Sequence, residues 1–108
     1  MKLVILMYLE DDSALVEELL AHHQVVAYSQ LPVEGHGRGT AGWYGKVAPY
    51  RSRMLISFLP ADKADELTSA IGQCQGCSDA SHPVHAWQMD VEKAVASGRP
   101  IKMGETTS

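Results

Sequence analysis

The sequence predicts one α+β domain with the element order β-α-β-β-α-β, and three observations predict it. Apolar runs of strand length occur at Lys2–Leu9, Val25–Leu31, Met54–Leu59 and His82–Val91. Apolar residues recur at helical spacing in two places, after Asp11–Ser13 and after Pro60. Prolines and one glycine-rich segment punctuate the remainder. At 108 residues and 45% hydrophobic, the chain suits one domain with a single core.

Each element has a local cause. Lys2–Leu9 is nearly continuous in apolar residues, as a buried central strand requires. Asp11, Asp12 and Ser13 are N-terminal residues for a helix, favourable as caps and against its dipole. Leu15, Val16, Leu19 and Leu20 then form its apolar stripe, with Glu17 and Glu18 turned outward. Val25–Leu31 begins with β-branched residues and is expected to end at Pro32. Met54–Leu59 is a third strand stopped by Pro60, and Pro60–Asp62 opens a helix with Ala64, Leu67, Ile71 and Cys74 on one stripe. In the last strand His85, Trp87, Met89 and Val91 share a face, and His82 falls on the other. The domain is expected to span residues 1–96, followed by a flexible tail over 97–108.

That order is the split βαβ, or ferredoxin-like, arrangement. Right-handed crossovers give a four-stranded antiparallel sheet with both helices on one face. No helix remains for the opposite face. With Tyr8, Trp87 and Met89 available, that face or a sheet edge is expected to pair with another subunit.

Composition excludes several classes. A formal net charge of −4 and 20% charged residues argue against a nucleic-acid binder. The run MKLVILMYLEDD is too short for a signal peptide, and no segment reaches membrane-spanning length, so no membrane insertion and a cytoplasmic location are expected. Cys74 and Cys77 form a C-x-x-C pair, too few thiolates for a tetrahedral zinc site. A disulfide or a regulatory redox pair both fit, without the activation that a helix N-terminus gives.

Glu34–Arg53 carries the strongest functional signal. It holds five of the nine glycines and four of the nine Lys/Arg residues. Glycine lets backbone approach a ligand closely, and clustered basic residues attract anions. The amides of Gly37–Thr40, through Gly39 and helped by Arg38, can form an anion nest. Trp43, Tyr44 and Tyr50, with Lys46 and Arg51, suit stacking and docking onto a base or a partner protein. G-H-G-R-G-T opens no helix, so it is not a dinucleotide fingerprint. His36, between two glycines, is the alternative metal ligand. No nucleophile–base–orienter set is legible, which makes an enzyme the weakest reading.

The segment V-E-G-H-G-R-G resembles the opening of the T-loop in PII nitrogen-regulatory signalling proteins. R-M-L-I-S-F-L-P-A-D-K-A-D-E-L-T-S-A-I is similar to that family's third strand and second helix, and D-V-E-K-A-V-A-S-G to its closing segment. The resemblance runs from residue 1 to about residue 99 in order and spacing, and G-x-G-R and V-E-x-A-V are its specific pieces. It implies a homotrimer with effector sites in the clefts between subunits and a mobile loop, here 37–53, that docks onto a transporter or an enzyme. By position Gly35, Gly37 and Arg38 lie beside the effector, an adenine nucleotide or a small anion such as bicarbonate. The family's G-D-G-K loop is replaced by Q-C-Q-G-C-S-D-A-S-H-P, and its two late arginines by Ala96 and Gly98. Divergent PII-like members and the copper-associated CutA proteins share the architecture, which keeps a transition metal at His36 open.

Overall fold

A computed structural model describes residues 1–36, 49–74 and 84–100. Strand β1 (Lys2–Leu9) leads through a 3-10 turn (Glu10–Asp12) into helix α1 (Ser13–His22). Strands β2 (Ser29–Gly35) and β3 (Tyr50–Leu59) follow, then helix α2 (Ala61–Gln73) and strand β4 (His85–Asp90). A short hairpin of β5 (Val95–Ala96) and β6 (Arg99–Pro100) comes last. The main sheet is antiparallel in the order β2-β3-β1-β4, which is the ferredoxin-like topology the periodicity predicts.

One core lies between the sheet and both helices. Val4, Leu6 and Tyr8 of β1 meet Val16 and Leu20 of α1 and Ala64, Leu67 and Ile71 of α2. Tyr8 therefore does not belong to the open face, as its place in the apolar run suggested. It pairs with Arg53 on the same side as the Leu6–Leu55 pair, and it is fully buried. Its hydroxyl donates to Gln30 Oε1 at 3.2 Å, which satisfies the one polar atom this burial would strand. Burial pushes its phenol above the ordinary pKa.

Two strands are displaced from their expected bounds. Val25 is not the start of β2. It closes α1 in a Schellman turn, donating its N–H to Leu20 O at 2.9 Å while Gln24 donates to Ala21 O at 3.0 Å. Nor does Pro32 end β2, which continues to Gly35. The strand lies at the sheet edge, where a residue without an N–H is tolerated. On the other side β3 begins at Tyr50 rather than Met54, so Tyr50–Arg53 are strand residues. The capping expectation also changes. Asp12 stands at the N-cap of α1 without a side-chain capping bond, while Ser13 Oγ reaches back to Glu10 O at 2.7 Å.

The face away from the helices is apolar and open. Leu31 is 41% exposed, Phe58 57%, Trp87 39% and Met89 46%, far above core values. Leu3, Ile5, Met7, Met54 and Ile56 continue this face between them by strand alternation and register. Among the described residues no helix is long and apolar enough to cross a membrane.

Candidate functional site

The pairing of β2 with β3 brings both ends of the glycine-rich segment to one end of the sheet. Gly35 is in register with Tyr50, Glu34 with Arg51, and Val33 with Ser52. Glycine is required at the first of these positions, because a Cβ there would run into the Tyr50 ring. Tyr50 packs on Leu9 in a small second cluster, anchoring the return of the segment to the end of β1. Ser52 and Ser57, both buried, donate to Val33 O and Ala27 O at 3.4 and 2.8 Å. The 2.8 Å bond fixes the approach to β2, while the longer one contributes little.

A cleft of about 470 Å³ opens here, walled by Pro32, Val33 and Glu34, by Pro49–Ser52, and by Glu10 from the 3-10 turn. That is within the size of small-molecule sites, and half of the wall residues are apolar or aromatic. Its charges are unevenly committed. Glu34 Oε2 lies 2.7 Å from His36 Nε2, and Glu10 Oε1 lies 3.5 Å from an Arg53 guanidinium nitrogen. Arg51 makes no ion pair among the described residues.

Of the residues singled out from the sequence, Gly35, His36, Tyr50 and Arg51 gather at this cleft end. Gly37, Arg38, Gly39, Thr40, Trp43, Tyr44 and Lys46 lie outside the described residues. Cys74 caps α2 far along the chain from the cleft residues and is disulfide-bonded. Cys77, the only other cysteine of the sequence, is outside the described residues, as is His82. Among the described residues no group of three or more His, Cys, Asp or Glu could hold a metal. Sequence reading missed Glu10 and the steric match of Gly35 with Tyr50. Both depend on strand register, and the only local signal was an acidic residue directly after an apolar strand.

No family model matches the chain, and no curated protein matches it. Solved structures do. A PII-like signalling protein from Thermus thermophilus superposes with a TM-score of 0.61 at 16% identity, covering 83% of this chain and 85% of that one. CPII, a nitrogen regulatory PII-like protein from Thiomonas intermedia K12 bound to ADP, AMP and bicarbonate, gives 0.58 at 18% identity over 93% and 94%. Its apo form gives 0.55 at 16% identity over 83% and 89%. The chain thus has the fold of PII-like signalling proteins. These structural neighbours are regulatory PII-like proteins, and one of them holds adenine nucleotides with bicarbonate.

Proposed function

We propose that this protein is a non-enzymatic regulatory sensor. It binds an adenine nucleotide or a small anion such as bicarbonate beside the β2–β3 end, in a cleft completed by a neighbouring subunit of a homotrimer. The glycine-rich segment then carries the signal to a partner transporter or enzyme. One observation carries the reading: both ends of that segment meet over a ligand-sized cleft, in the fold of a protein bound to ADP, AMP and bicarbonate. Backbone amides of Gly37–Thr40 and the Arg38 side chain supply the anion contacts. The open apolar sheet face supports the trimer, since a patch of that extent marks an association surface.

A second reading has its own support. Glu34 occupies Nε2 of His36, the kind of carboxylate contact that orients an imidazole and leaves Nδ1 for a transition metal. Calorimetric titration with ADP, AMP, bicarbonate, copper and zinc separates the two. Under the sensor reading Arg38→Ala weakens effector binding by about 1.5–3 kcal/mol, the worth of a charge-assisted hydrogen bond, while His36→Ala leaves it nearly unchanged. Under the metal reading that order reverses. If neither substitution alters any binding, both readings fall.

A further inference from the structure

We infer that Arg51 contributes an anion-binding side chain to the cleft, and that its ligand carries a single carboxylate-like or phosphate group, a larger ligand resting its apolar or planar body on the wall. The inference rests on the sensor reading for the location of the site and narrows its ligand.

The argument begins with an ion pair that does not form. Glu34 and Arg51 face each other in register across β2 and β3, where opposite charges ordinarily pair. Here Glu34 is turned to His36 at 2.7 Å, and Glu10, the other carboxylate of the wall, is turned to Arg53 at 3.5 Å. Neither His36 nor Arg53 lines the cleft. Both acids are thus held by basic groups outside it, and the cleft keeps one exposed guanidinium with no ion pair among the described residues. A planar guanidinium offers paired N–H groups that match a carboxylate or a phosphate. Pro32, Val33 and Tyr50 supply an apolar surface on which the body of such a ligand can rest.

The same walls limit the charge that is accepted. Glu10 and Glu34 line the cleft, so each further negative charge on a ligand adds repulsion from this wall. A phosphomonoester is therefore preferred to a polyphosphate. Charge, as much as shape, sets the selectivity.

The test is isothermal calorimetry on the full chain with AMP, with bicarbonate, and with ATP in the absence of divalent metal. Wild-type protein is expected to bind AMP more tightly than ATP. Arg51→Ala should weaken whichever of AMP or bicarbonate binds by roughly 10- to 100-fold, the fold-change of one charge-assisted contact. Arg51→Gln, which keeps the stem for packing, should lose as much. Glu34→Gln should narrow the gap between AMP and ATP. Unchanged AMP and bicarbonate affinity in Arg51→Gln overturns the inference. If Arg38→Ala abolishes binding in that same experiment, the sensor reading stands without it. Tighter ATP than AMP binding by the wild type also overturns it. Binding of none of the three removes inference and sensor reading together.

Discussion

Gln24 has φ 59°, the left-handed conformation that closes the Schellman turn of α1, where glycine is the usual occupant. A side chain with a Cβ is strained there by about 1–2 kcal/mol. Part of that is recovered because Val25, the next residue, packs into the core with Leu20. Gln24→Gly should therefore raise stability by about 0.5–1 kcal/mol, after the entropy that glycine adds to the unfolded chain. Urea denaturation with an unchanged slope checks it, and a lower midpoint would contradict it. Gly35 is the opposite case. Gly35→Ala places a methyl in the Tyr50 ring, and overpacking of this kind costs about 1–3 kcal/mol. The same denaturation experiment should show the loss, and Tyr50→Ala in the same chain should relieve the clash.

The helices are joined to each other and to the sheet by polar links outside the core. His23 Nδ1 lies 2.8 Å from Glu66 Oε2, and Lys63 Nζ donates to His23 O at 3.1 Å, which ties the end of α1 to α2. Gln88 Nε2 donates to Asp65 Oδ1 at 2.6 Å, tying α2 to β4. The contact with His23 holds the Glu66 carboxyl below its usual 4.5, and the bond from Lys2 holds Asp90 below its usual 3.8. A carboxyl with a depressed folded-state pKa stabilises the fold above its unfolded value, and that contribution disappears as pH falls through the folded value. Glu66→Gln should therefore lower the urea midpoint near neutral pH and converge with the wild type once pH drops below the depressed pKa. Both groups are solvent-exposed, so the difference should be small. The α2 stripe was legible from sequence because Ala64, Leu67 and Ile71 recur at helical spacing and nothing competes with that period. The bounds of β2 and β3 were not. Val25 serves a helix cap, and Tyr50–Arg53 alternates charge with serine, so neither looks like its role until the register is known. For the same reason the side taken by Tyr8 was hidden: an unbroken apolar run carries no parity. The Gly35–Tyr50 end of the site was legible only as composition, because the fit between the two residues is a property of strand pairing.

At the scale of the molecule the uncovered sheet face dominates. His85 stacks on Trp87 at 5.7 Å on that face, and burial pushes the His85 imidazole below its ordinary pKa. Trp87→Glu sets a charge on the β4 side of the proposed subunit contact and should convert the proposed trimer to monomers in multi-angle light scattering. A wild type that is monomeric at micromolar concentration would remove the trimer itself. The open edges of such a sheet expose a protein to unlimited growth by strand addition, while its apolar face favours closed association. Pro32 separates the two outcomes. It sits inside the edge strand β2 and leaves a gap in the row of donors that an incoming strand would need. Fibre-like extension along that margin is thereby interrupted, while contact through the face is unaffected. In the proposed trimer, restoring the donor with Pro32→Thr should leave each subunit folded and open this edge to strand addition, so the residue that looked like the end of a strand would act as a guard on the sheet's margin.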